Sequence, residues 1–147
     1  MLKAVSNIPP PGPCFSAYVG TNQNLTSGVT TKLALDTEEF DILSCYDAVN
    51  YRFTPNVAGF YQVNAAMTYG ASAGATEGLI YIYKNGGQFK TGTFLIGASA
   101  AVTASALIQM NGTTDYIELF GYVVAATPVV NSGEKNTFFQ SVLLQRS

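Results

Sequence analysis

A chain of 147 residues makes one ordinary domain with room for a real core; 48% of it is hydrophobic and only 11% is charged. The formal net charge is −2 with no basic run, so nucleic-acid binding lacks its electrostatic footprint, and no apolar run reaches the roughly 18 residues of a membrane-crossing helix. Histidine is absent, which excludes Ser-His-Asp and Cys-His catalysis and, with only Cys14 and Cys45 as thiols, argues against zinc.

Residues 1–13, MLKAVSNIPPPGP, read as an arm. Its prolines favour an extended polyproline conformation without internal hydrogen bonds. Two readings stand: a frayed terminus, or a tether that docks onto a larger assembly through Ile8, Pro9, Pro10, Pro11 and Pro13. The arm has one Lys and no apolar core of signal-peptide length, and the start at Met1 leads us to expect a chain that does not use the general secretory route. Cys14 follows; its spacing from Cys45 fits no CxxC pattern, and two buried free thiols are expected, with a bridge as the alternative.

From Cys14 onward strand follows turn. Residues 15–20 predict a short strand, Asn22-Gln23-Asn24 a loop, and the alternation over residues 29–35 a second strand. Glu38-Glu39-Phe40-Asp41 reads as an acidic loop. Phe53-Thr54-Pro55 supplies a strand end, because proline gives a ladder no N–H. Residues 59–69 alternate cleanly, with Tyr61, Val63, Ala65, Met67 and Tyr69 on one face and Gln62, Asn64, Ala66 and Thr68 on the other, the mark of a long half-buried strand. Residues 71–78 are a Gly/Ala/Ser connection; residues 79–83 and 88–96 flank Asn85-Gly86, a strong hairpin signal. Residues 98–110 are Ala-rich, as in a helix, but they alternate from Val102 on and predict a strand. Asn111-Gly112 turns the chain, and residues 116–124 and 136–145 complete about ten short strands, the pattern of a sandwich or jelly roll with no internal repeat.

Few residues offer chemistry. Neither GxSxG nor a phosphate-binding glycine loop is present. Glu38 or Glu39 with Asp41 could form a carboxylate pair, yet acids grouped in a loop are ordinarily just solvated. Asp36, Glu38, Glu39 and Asp41 are weak calcium candidates, since they lack the alternating spacing of a dedicated loop. We therefore expect no enzyme activity and no cofactor. Tyr18, Tyr51, Tyr122 and Phe89 are candidates for stacking on a sugar ring or anchoring a protein, against simple burial. Asn24-Leu25-Thr26 and Asn111-Gly112-Thr113 match the glycosylation pattern, which matters only in a eukaryotic secretory setting.

An 11% charged fraction lies well below the roughly 25% of a typical soluble domain. A neutral Thr/Asn-rich β surface would account for it, but burial in an oligomer is the sharper reading. The closing stretch, TFFQSVLL over residues 137–144, is apolar on both faces, so one face needs a cover beyond its own core. The expected interface draws on Phe60, Gln62, Asn64, Phe139, Ser141 and Leu143.

The stretch over residues 35–63, LDTEEFDILSCYDAVNYRFTPNVAGFYQV, carries a family resemblance. Asp41, Tyr46, Phe53, Gly59 and Tyr61 match in register the signature of the globular-head domain of complement component 1q, a relative of the tumour necrosis factor fold, with Leu35 where the family has Phe. Phe15-Ser16-Ala17 resembles that domain's opening strand, and Phe138 with Val142-Leu143 its closing one, so the likeness spans roughly residues 14–145. Gln140 departs from the family's usual Gly, and no collagen-like Gly-X-Y repeat precedes the domain. The resemblance implies a ten-stranded all-β jelly-roll sandwich over residues 14–147, a homotrimer, and a non-enzymatic binding or structural module. Two uses compete. One is a virion component, a phage fibre, tail or capsid-decoration protein, that docks on other virion proteins through its arm and presents the head to a cell-surface glycan or protein receptor. The other is a secreted, extracellular complement 1q-like ligand or lectin-like recognition module. The absent signal and stalk make the virion component the expected use.

Overall fold

The computed structural model describes residues 10–98 and 100–147. These contain strands and turns and no helix. The strands are β1 (Cys14–Tyr18), β2 (Gln23–Asn24), β3 (Thr31–Lys32), β4 (Thr37–Ile42), β5 (Tyr46–Asp47), β6 (Arg52–Phe53), β7 (Gly59–Thr68), β8 (Glu77–Lys84), β9 (Gly87–Ile96), β10 (Ala101–Met110), β11 (Ile117–Val124), β12 (Val129–Val130) and β13 (Phe138–Arg146). One sheet has the order β10-β7-β13-β1-β4 and the other β5-β6-β11-β8-β9, with β3 beside β11 and a separate β12-β2 pair. The two main paths hold the expected ten strands, and every pairing is antiparallel.

The alternation of the long strand decides how the sheets face each other. Tyr61, Val63, Ala65 and Met67 of β7 point inward and are buried, while Phe60, Gln62 and Asn64 are half-buried on the outer face. The other sheet answers with Ile80 and Ile82 of β8 and Leu119 and Val123 of β11, all fully buried. The hairpin predicted at Asn85-Gly86 is present, with φ of 53° and 80°, the left-handed values that a two-residue hairpin turn requires.

The residues that carried the family resemblance assemble into one knot in this core. Phe15 stacks on Tyr46 and Phe53 at centroid distances of 4.6 and 4.5 Å and meets Phe139 edge-on at 5.2 Å. Phe53 meets Tyr61 edge-on at 5.7 Å. Tyr46 donates its hydroxyl to the Leu35 carbonyl at 2.7 Å, and Tyr61 donates to that of Val57 at 2.7 Å. Asp41 accepts from the backbone N–H of Cys45 at 3.0 Å and of Tyr46 at 2.9 Å, which closes the turn between β4 and β5. Gly59 must be small because β13 passes over it: a Cβ there would lie 2.3 Å from the Gln145 carbonyl oxygen.

Several expectations are corrected. Residues 38–41 are not a loop but most of β4, an edge strand that pairs with β1 alone among the described residues. Of residues 29–35 only Thr31 and Lys32 form a strand. The Gln23 side chain replaces the missing neighbour, donating to the Lys32 carbonyl and accepting from the Ala34 N–H, each at 2.9 Å. Both cysteines are free thiols; Cys45 is buried and Cys14 only half-buried. Pro10, Pro11 and Pro13 of the docking arm are described, whereas Ile8 and Pro9 lie outside the described residues. Pro13 is buried and its carbonyl accepts from Leu143 N–H at 3.1 Å, so the arm's last residues pack against β13.

Candidate functional site

The outer face of the five-stranded sheet is the strongest candidate. Antiparallel register sets Val142 beside both Gln62 and Cys14, and Gln140 beside both Asn64 and Ser16. On β4, Ile42 stands beside Cys14 and Phe40 beside Ser16. Together these residues border a cleft of about 190 Å³ whose walls include Cys14, Phe40, Gln62, Asn64, Gln140 and Val142. Phe40, Ile42 and Val142 are 46%, 43% and 41% exposed, and Leu107 on β10 is 56% exposed beside Gln62. Large apolar side chains left open around a cleft that is itself largely apolar mark a contact surface more than a finished exterior.

The cleft's polar residues are already organised. Gln62 Nε2 donates to Ser105 Oγ at 2.9 Å, and Ser105 Oγ donates to Asn64 Oδ1 at 2.9 Å. Ser16 Oγ donates to Glu39 Oε2. Burial pushes the Cys14 thiol above its ordinary pKa, and the Asp41 carboxylate pushes it the same way, so Cys14 is a poor thiolate at neutral pH. These groups can hold and orient a polar partner. None is arranged as a nucleophile with its base.

The expected interface residues divide. Phe60, Gln62 and Asn64 lie on this outer face. Phe139 and Ser141 do not: Phe139 is 0% exposed within its own core, and Ser141 is buried, donating to the Gln62 carbonyl at 3.0 Å. Leu143 is half-buried against the core and the arm, where a Cβ on Gly12 would meet its side chain. The physical reason is register. Phe139 sits opposite Ala17, an inward position, so the outward residues of β13 are Phe138, Gln140 and Val142. Sequence reasoning missed Phe40, Ile42, Ser105, Leu107 and Val142; the available signal was the departure at Gln140, which lines the cleft.

The acids do not converge on a cation. Asp41 caps the turn, Asp36 accepts from Gly20 N–H at 2.8 Å, and Glu39 accepts from Ser16. Among the described residues no group of three or more His, Cys, Asp or Glu side chains could hold a metal ion. Tyr18 and Tyr51 are half-buried, Phe89 is exposed, and Tyr122 lies half-buried on β11 near Tyr81, so the four aromatics form no single platform. Asn111 is committed: its Oδ1 accepts from the N–H groups of Thr113, Thr114 and Asp115. Asn24 is exposed. No helix among the described residues is long and apolar enough to cross a membrane.

This architecture is that of the complement 1q and tumour necrosis factor jelly rolls, and solved structures of both kinds superpose on it. The globular domain of zebrafish complement 1qA protein matches with a TM-score of 0.66 and 13% identity, covering 92% of this chain and 99% of its own. Murine APRIL matches with a TM-score of 0.66 and 10% identity, covering 90% and 98%. Eiger TNF from S. frugiperda matches with a TM-score of 0.64 and 9% identity, covering 94% and 96%. Identities this low establish the shared fold. No protein-family model matches the sequence, and no curated protein does.

Proposed function

We propose that the chain is a non-enzymatic recognition module that works as a homotrimer, its copies meeting over the outer face of the five-stranded sheet. One observation carries this: Phe40, Ile42, Val142 and Leu107 stand open around a largely apolar cleft on a sheet whose other side is a complete core. The low charge of the whole chain agrees with a surface that is partly covered by its own kind. The shared fold supports the ligand or recognition class, and the solved neighbours named above include no viral protein, so the extracellular setting has their support and the virion setting does not. Cys14 reports on the face directly. Its alkylation should slow as protein concentration rises and the copies assemble, while Cys45 stays unreactive throughout; a Cys14 rate independent of concentration across the assembly range would remove the face from the interface.

A second reading, a head anchored to a larger particle, rests on where the termini lie. Arg146 donates to the Pro10 carbonyl at 3.2 Å and Ser147 N–H to that of Ala58 at 3.2 Å, so the arm enters and β13 ends at one pole. The segments over residues 19–30, 69–76 and 125–137, which include the β2–β12 pair, lie at the other, joined by bonds such as Ser132 N–H to Asn22 Oδ1 at 2.8 Å and Ala71 N–H to Asn131 Oδ1 at 3.1 Å. Attachment through residues 1–9 would present those loops outward. Deleting residues 1–9 should leave a folded head that no longer joins purified particles; full incorporation of the truncated head would exclude the arm as anchor.

A further inference from the structure

The outer face of the other sheet carries a cluster of aromatic side chains that neither the core nor the proposed contact between copies uses. In β8 the residues alternate, so Ile80 and Ile82 are buried while Leu79, Tyr81 and Tyr83 stand half-buried on the outside. In β11, Leu119 and Val123 face the core, and Phe120 and Tyr122 face out. Register lays these side chains in rows across the sheet. Lys32, Phe120, Tyr81 and Thr91 make one row, and Arg52, Glu118, Tyr83 and Gln88 the next. Tyr122, Leu79 and Phe94, the last 48% exposed, make a third. Tyr83 stacks on Phe120 at a centroid distance of 3.9 Å, and Tyr81 meets Tyr83 edge-on at 6.5 Å. These contacts hold the rings in place, so little side-chain freedom is left to lose on binding. Among the described residues no ring lies face to face on Tyr81 or Tyr122.

The chemistry around the rings narrows the ligand. Charges on this face come in matched signs: Lys32 bridges to Glu118, Arg52 stands beside Asp47 in register, and Glu77 and Lys90 add one of each. An ionic partner therefore finds no uncompensated patch to complement. A hydrocarbon would suit the rings, but it would strip water from the tyrosine hydroxyls and the Lys32–Glu118 pair without replacing the lost bonds. A tyrosine offers an apolar body with a polar tip, and a neutral sugar answers both, with an apolar C–H face and hydroxyls around its rim. Resting on the recognition-module reading, we infer that this face binds a neutral oligosaccharide. Tyr81 and Tyr122 stack on the C–H faces of the sugar rings, while the tyrosine hydroxyls, Thr91 and the Lys32–Glu118 pair hold the sugar hydroxyls. The face points away from the sheet over which the copies meet. A trimer would thus present three such sites outward and gain avidity on a branched or repeating glycan.

Sugar binding tests the site. The probes are immobilised glucan, mannan, galactan and chitin oligosaccharides, with sialylated and sulfated chains beside them. The best binder is then titrated against tyrosine fluorescence, which the absence of tryptophan leaves unobscured. Circular dichroism and sedimentation record the fold and mass of every variant. The native chain should bind at least one neutral oligosaccharide at millimolar concentration or below. Tyr81→Ala should weaken that binding about tenfold, and Tyr81→Phe, which keeps the ring, by less. Lys32→Met combined with Glu118→Leu removes the ion pair without stranding a buried charge, keeps the rings, and should also weaken binding about tenfold. Failure to bind any neutral chain, the outcome expected of a face that serves a protein instead, would overturn the inference. So would tighter binding to the acidic chains, or binding that neither Tyr81→Ala nor the paired replacement moves. Each of those results leaves the homotrimer standing, because the mass is read separately. A monomer that binds sugar through Tyr81 would overturn the homotrimer and keep the site.

Discussion

At the scale of single residues, the hydroxyls of the core tyrosines separate structure from surplus. Tyr61 gives its hydroxyl to Val57, but the Tyr69 hydroxyl is buried with no hydrogen-bond partner among the described residues. Tyr61→Phe should therefore cost about 1 kcal/mol in denaturant unfolding, whereas Tyr69→Phe should be neutral or stabilising by about 1 kcal/mol, because it removes a desolvated group that forms no bond. Burial also pushes the Tyr61 pKa up from 10.0 to about 12, and burial together with the charge of Glu38 pushes Tyr46 higher still. A raised folded pKa means that the unfolded chain releases its proton first. The contribution is thus complete below pH 10 and is lost as pH climbs through the folded value. The unfolding midpoint should hold to about pH 10, fall steeply above it, and fall less steeply in Tyr61→Phe.

At the scale of elements, the sequence was most readable where period and turn chemistry agreed. The alternation of β7 and the Asn85-Gly86 turn were visible because each rests on local residues. What failed depended on a distant partner. TEEFDI looks like a loop because nothing local favours a strand; it pairs with β1 at a sheet edge, where charge is tolerated and guards against stray pairing. Residues 29–35 alternate, yet a Gln23 amide serves part of their backbone. In β13 Phe138 and Phe139 are both large and apolar, so period alone cannot say which turns inward; pairing with Ala17 decides it. The difference is measurable. Phe139→Ala should destabilise the isolated fold by roughly 3–5 kcal/mol in chemical denaturation. Val142→Asp should leave the fold intact by circular dichroism and, under the proposed homotrimer, place a charge in the contact between copies and shift the protein toward monomer.

At the scale of the whole molecule, the fold answers a composition problem. A chain with 11% charged residues has little with which to coat itself, and most of the sandwich's uncovered large apolar groups, though not Val29 and Val49, lie on one sheet face and at two edges. The arm and the C-terminus meet at one pole, which leaves the loops of the other pole available for recognition. The candidate face was only half legible beforehand, since β7 could be read from its own alternation while its neighbours could be read only from register. The most direct measurement is the solution mass of the native chain by sedimentation equilibrium at micromolar concentration. A mass three times the 15.6 kDa chain is predicted; a stable 15.6 kDa species, with the open sheet face persistently in water, would contradict the account.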